Sequence, residues 1–298
     1  MKSKKILAVL MAAGMTLSLA ACGSSSDSTD KSADNGSDSG KTYKIGILQQ
    51  LEHAALDEAT KGFEDALTEE FGDSVKFDEQ NAQGDSNTCS TIINSFVSEG
   101  TDLILANATA SLQAAAAGTS DIPILGTAVT EYGVALGIDD FDGTVGGNIS
   151  GTSDLAPLDE QADMLHELFP DAKNVGLLYC SAEPNSQYQV DTVKDALEKL
   201  GYTCEYYAFS DSNDLSSVAT TATDASDVIY VPTDNTVASN PEIINQLHSI
   251  DQSIVLLHDC ILFLLGRGKL HLHSLQTCLH ELTIDTVSKQ FEQILEHR

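Results

Sequence analysis

Residues 173–190, KNVGLLYCSAEPNSQYQV, decide how this chain is read. Val175 to Cys180 is an apolar run of strand length. Ser181 to Gln187 is a polar loop, and a helix follows as far as Leu200. An apolar strand opening through a short polar loop into a helix is one unit of a parallel sheet covered on both faces. The corner it makes suits a ligand, because a helix start carries unpaired N–H groups and a partial positive charge. A single corner of this kind is explained by helix capping alone. Function requires several that face one another.

The same alternation extends in both directions. Upstream, the pattern predicts strands at Lys44 to Gln49, Val75 to Gln80, Asp102 to Ala106 and Ile122 to Gly126. Helices are expected at Glu58 to Phe71, Ser86 to Ser98 and Leu112 to Gly118, the second burying Ile92, Ile93, Phe96 and Val97. Gly143 to Gly151 has no strong period and reads as a crossing between lobes. Beyond it, helices at Asp159 to Phe169, Leu215 to Asp224 and Pro241 to Leu247 alternate with strands at Thr203 to Phe209 and Val228 to Val231. Strands alternating with helices predict an α/β fold with two Rossmann-like lobes and a ligand cleft between them.

The ends differ from the middle. Lys2, Lys4 and Lys5, an apolar run from Ile6 to Leu19, and Leu19-Ala20-Ala21-Cys22 occur in the order of a bacterial lipoprotein export signal. Residues 1–21 are thus expected to be removed and Cys22 to carry lipid, which holds the chain on the extracytoplasmic face of a cell membrane. Residues 22–42 are Ser, Asp, Gly and Asn with almost nothing apolar, a flexible tether. The lobes are expected at 43–150 and 151–247, the second incomplete. Residues 248–298 are atypical: both arginines, Arg267 and Arg298, and six of the eight histidines lie there. That segment reads as an out-of-frame end or a fusion. His271 and His273, with Cys260 and Cys278, match no standard zinc spacing, so no metal site is expected.

A net charge of −30 excludes a basic nucleic-acid footprint. No GxSxG, HExxH, Walker loop or GxGxxG occurs, so neither catalytic residues nor a cofactor are expected. No CxxC occurs, and Cys180 and Cys204 are read either as neighbours or as buried free thiols.

Ligands of open parallel sheets bind beyond the carboxyl ends of the strands. The candidates in the first lobe are therefore Gln49, Gln50, His53, Leu56 and Asp57, then Asn107, Thr109, Ala110 and Ser111, then Thr127 and Thr130. In the second lobe they are Ser181, Glu183, Asn185 and Ser186, then Thr233, Asp234, Asn235 and Thr236. The set is amide, hydroxyl and carboxylate, without Lys or Arg, and fits a small zwitterion. The amides and hydroxyls at Thr109 to Ser111 take its carboxylate. Asp234 or Glu183 takes its ammonium, and Leu56 lines a side-chain pocket. Capping alone also accounts for Ser186, Asp234 and Asn235.

YKIGILQQLEHAALDEATKGF, DLILANATASLQAAA, DIPILGTAVTEY, GTSDLAPLDEQADMLHELFPDAKNVGLLYCSAEPNSQ and VPTDNTVASN together resemble the substrate-binding lipoproteins of ABC importers. They are most similar to the group linked to uptake of tryptophan, tyrosine and phenylalanine. The resemblance runs from about Tyr43 to about Leu247. It implies a two-lobed clamp of the type I periplasmic-binding-protein kind, monomeric, that passes an amino acid to an ABC permease. Its ligand-lining stretches fall on Gln50 to Leu56, Asn107 to Ala110, Thr127 to Thr130, Glu183 to Ser186 and Asp234-Asn235. Thr109-Ala110 stands where that family often has Thr-Pro. A sensory binding protein and a non-functional truncated or frameshifted copy are the alternative readings. A hydrolase lacks a placed nucleophile and base, and a transcription regulator is disfavoured by the export signal.

Overall fold

The computed structural model describes residues 41–244 and the strands at 254–258 and 261–263. The export signal, the tether and the His271/His273 region lie outside the described residues, with Lys41 and Thr42 the exceptions.

The first lobe is a parallel sheet of β1 (Tyr43–Gln49), β2 (Val75–Asn81), β3 (Leu103–Asn107), β4 (Ile124–Val129) and β5 (Ile149–Ser153), in the order β2-β1-β3-β4-β5. Its helices are α1 (Ala54–Phe71), α2 (Ser86–Glu99), α3 (Thr109–Gly118) and the short α4 (Tyr132–Leu136). Successive residues of the strands feed opposite faces. Ile45, Ile47, Leu103, Leu105 and Leu125 pack on Phe63 and Leu67 of α1. Leu48, Ile104, Ala106 and Ile124 pack on Ile93 and Phe96 of α2 and Leu112 of α3. Burial on both faces is why these strands are continuously apolar. Each fully buried Leu, Ile or Phe adds about 1.5–3 kcal/mol.

The second lobe repeats the plan. Its helices are α5 (Leu158–Leu168), α6 (Pro184–Lys199), α7 (Ser212–Ala225) and the single turn α8 (Asn235–Ala238). The strands β6 (Asn174–Cys180), β7 (Thr203–Phe209), β8 (Val228–Val231), β9 (Ile254–His258) and β10 (Ile261–Phe263) run β10-β9-β8-β6-β7. All pairs are parallel except β9–β10. β9 pairs in parallel with β8, Ile229 opposite Ile254, although it lies within the segment that the sequence sets apart. In each sheet the strand order reverses at one point, between β1 and β3 and between β6 and β8. The carboxyl ends there define the ligand crevice of such folds.

Several elements differ from expectation. α1 begins at Ala54, α3 at Thr109 and α6 at Pro184, so Leu56, Asp57, Asn185 and Ser186 sit in first helical turns and not in loops. Pro184 occupies the start of α6, where its missing N–H costs nothing. Residues 149–153 form β5 in the first sheet, so the chain crosses between lobes after Ser153 and not across Gly143 to Gly151. The buried face of α2 is Cys89, Ile93 and Phe96; Val97 is exposed and Ile92 only half-buried. Cys204 lies beside Val175 while Cys180 is at the far end of that strand, so the two are not neighbours, and both thiols are free and buried.

Gly46 of β1 faces the Phe96 ring, and a Cβ there would stand 2.7 Å from it. Gly46→Ala is therefore expected to destabilise the fold by about 1–3 kcal/mol through overpacking. An unchanged thermal midpoint would show that the β1–α2 contact is looser than described.

Candidate functional site

At the first reversal point, Gln49 ends β1 and Asn107 ends β3, and a chain of hydrogen bonds joins them. Asn107 Nδ2 donates to the Leu56 carbonyl and to Thr60 Oγ1, both at 2.9 Å. Thr60 Oγ1 donates to Gln49 Oε1 at 2.7 Å, and Gln49 Nε2 donates to Asp57 at 2.7 Å. Thr60 and Asp57 thus fix the end of the sheet from α1. Asn107 Oδ1 is buried and has no hydrogen-bond partner.

Beside it, Ala108 has φ 83° and ψ 167°, a region that glycine normally occupies, at a strain of about 1–3 kcal/mol. This turn starts α3 so that Ala110 N–H points at Gln50 Oε1, 3.1 Å away. The Ala110 amide of α3 therefore meets a neutral amide and not a charged group. Thr109 and Thr130 are buried, and Thr127 and Ala110 half-buried, around this corner.

The second reversal point is negative. Glu183 precedes α6 without capping it, and its carboxylate reaches the start of α8. Oε2 accepts from the backbone N–H and Nδ2 of Asn235 at 3.0 and 2.8 Å. Oε1 accepts from the backbone N–H and Oγ1 of Thr236 at 2.9 and 2.8 Å. Asp234, fully buried, accepts from the N–H of Val237 at 2.9 Å and of Cys180 at 2.7 Å. Two carboxylates so take the first three amides of α8. Asn185 Nδ2, Ser186 Oγ and Gln189 Nε2 all donate to the Thr233 carbonyl, at 3.1, 3.4 and 3.2 Å.

The expected lining residues of this lobe therefore hold one another. Asn185 and Ser186 turn to Thr233, and both oxygens of Asp234 are spent on backbone. Gln189, Thr60 and Asp57 complete the two networks. The sequence reading does not single out Gln189 or Thr60, although each is one turn beyond a residue that it does, Asn185 and Leu56.

Burial pushes the Asp234 carboxyl well above the usual range, and the Glu183 charge adds to it, against the N–H groups of Cys180 and Val237 and the Ser186 hydroxyl. Burial also pushes the Cys180 thiol up to about 11, with help from the charges of Asp234 and Glu183.

The two corners meet. His53 Nε2 lies 3.2 Å from Asn235 Oδ1. A carboxylate only accepts, so Glu183 fixes the Asn235 amide with Nδ2 toward itself and Oδ1 toward His53. His53 must then donate from Nε2. α4 also packs on α6, bringing the lobes together a second time. Among the described residues no helix is long and apolar enough to cross a membrane, and no group of His, Cys, Asp and Glu is placed to hold a metal ion.

Two α/β lobes closed over facing reversal points make a solute clamp. The chain belongs to the family of ABC transporter substrate-binding proteins, whose model matches residues 44–259. It is 40% identical over 250 residues to a tyrosine-binding protein of Clostridioides difficile, covering 83% of this chain and 72% of that one. It also resembles the solved ABC domain in complex with L-Trp from Streptococcus pneumoniae, at 32% identity and a TM-score of 0.75 over 87% of this chain and 86% of that one. A ligand-free, open substrate-binding protein with adhesive properties from Clostridium difficile is 37% identical, with a TM-score of 0.51 over 72% and 74% of the chains.

Glu183→Gln turns an amide donor toward groups that are themselves donors. It should cost about 1–3 kcal/mol of stability, seen as a lower thermal midpoint; an equal or higher midpoint would contradict the role given to Glu183.

Proposed function

We propose that this chain is the solute-binding lipoprotein of an ABC importer, that it captures an aromatic amino acid between its lobes, and that it delivers the ligand to a membrane permease. The observation that carries the reading is the opposite polarity of the two corners. Helix-start amides of α3 with Thr109 and Gln50 stand on one side, and the buried carboxylates Glu183 and Asp234 stand on the other. A zwitterion matches both at once, its carboxylate toward α3 and its ammonium toward α8. The relatives add the side chain, since one is a tyrosine-binding protein and another holds L-Trp. Leu56, buried in the first turn of α1, and the His53 ring are the groups we assign to the aromatic end.

In this reading the protein binds without catalysis, as a monomer. Residues 1–21 act as an export signal, Cys22 carries lipid, and residues 22–42 tether the clamp to the outer face of the membrane. The lobes then divide at residue 153, after β5.

Calorimetric titration of the full chain with a panel of amino acids should give saturable binding of L-tyrosine or L-tryptophan. A cooperatively folded sample that binds neither would refute the assignment.

Binding is also expected to be proton-linked. Burial holds the proton of Asp234 above the usual carboxylate range, and an arriving ammonium favours the ionised form. The complex then holds fewer protons than the free protein between those two ranges, so affinity rises with pH there. The measurement is the binding enthalpy in buffers of different ionisation enthalpy; no buffer dependence would exclude proton release.

A further inference from the structure

The cleft is short of positive charge. Among the described residues there is no arginine, and of the seven lysines six are exposed and Lys194 is half-buried. Lys41, Lys44, Lys76 and Lys173 stand at the amino ends of strands, away from the cleft. Lys61 and Lys194 pair along their own helices with Asp65 and Glu198, and Lys199 ends α6. Among the described residues, Glu183 and Asp234 are therefore buried with hydrogen-bond donors but without a basic side chain.

The demand on the ligand is unequal in a second way. At the carboxylate end, Ala110 N–H already has Gln50 Oε1 as a partner. A ligand lacking the carboxylate leaves that donor satisfied. In the same corner, Asn107 Oδ1 is a fully buried acceptor without a hydrogen-bond partner, its amide held from behind by Leu56 and Thr60. An anion at this corner meets an amide that is already served and, beside it, an acceptor without a partner.

Resting on the amino-acid reading above, we infer that the site recognises the ammonium first and the carboxylate second. Its ligand class thus extends to aromatic primary amines and amino-acid amides and excludes aromatic carboxylic acids that lack the amine. An ammonium meets buried charge in a low-dielectric corner, where the interaction is strong. A carboxylate meets neutral hydrogen-bond donors, each of modest net worth, and brings a further negative charge to a cleft that already holds two carboxyl groups.

The test is calorimetric titration of the full chain, at one pH, with L-tyrosine, its amide, tyramine and 3-(4-hydroxyphenyl)propionate, and with the tryptophan counterparts. The amide and the amine should bind about tenfold more weakly than the amino acid. The acid without the amine should lose more than about 100-fold. If the amino acid binds but the acid matches or exceeds the amine, the amine-first inference falls and the amino-acid reading stands. If an amine binds and neither amino acid does, the amino-acid reading falls, and the inference, which gives the carboxylate a favourable second place, falls with it. If no compound binds to a folded sample, both fall.

Discussion

The second half of the site depends on one carboxylate. Glu183 uses both oxygens, each accepting two donors from Asn235 and Thr236, which lie more than fifty residues further along the chain. A buried charge without a counter-charge is costly, and hydrogen bonds to the charged form are what make it tolerable. Those bonds set the Asn235 amide, and the Asn235 amide sets the tautomer of His53 across the cleft. The geometry of closure therefore follows from how one acidic side chain is satisfied. Asp234 completes the arrangement by tying the ends of β6 and β8 to the start of α8.

The two lobes use a common plan to opposite ends. Asp102 precedes β3 and accepts from the Lys44 N–H; Asp227 precedes β8 and accepts from the Lys173 and Asn174 N–H groups. Gly46 and Gly176 hold matching places in β1 and β6, and at each a Cβ would strike a neighbour. At the carboxyl ends the match stops. The helix after β3 starts behind strained, uncharged Ala108, and the helix after β8 starts behind Asp234. Identical scaffolding thus presents one helix start that meets a neutral amide and one that is already neutralised by carboxylates.

The strands were the most legible part of the sequence, because strands buried on both faces must be apolar throughout. The exception is β5, ISGTS, with one apolar residue, which reads as a crossing because its identity as a strand comes from pairing with β4. Helix starts were read late at α1, α3 and α6. Their first turns carry polar candidate residues, such as Asp57, Thr109, and Asn185 and Ser186. A polar first turn has the composition of a loop, and only packing of the later turns distinguishes them. The strand-end rule gathers from sequence residues that the fold brings to its two reversal points. It does not reveal that Asn185 and Ser186 serve Thr233, since a hydrogen bond between residues 48 apart leaves no local trace.

That distinction changes what the site residues do. Read singly, Glu183 and Asp234 are ligands for an ammonium group, with open lone pairs. In the fold Glu183 accepts two donors at each oxygen and Asp234 one backbone N–H at each, and on the proposed function what they chiefly offer a ligand is charge in a low-dielectric surrounding. A field from buried, fully hydrogen-bonded carboxylates needs no reorganisation when a cation arrives. It also constrains sign more than shape. On the proposed function, shape then comes from Leu56 and the His53 ring in the first lobe, which puts charge recognition and side-chain recognition on opposite jaws.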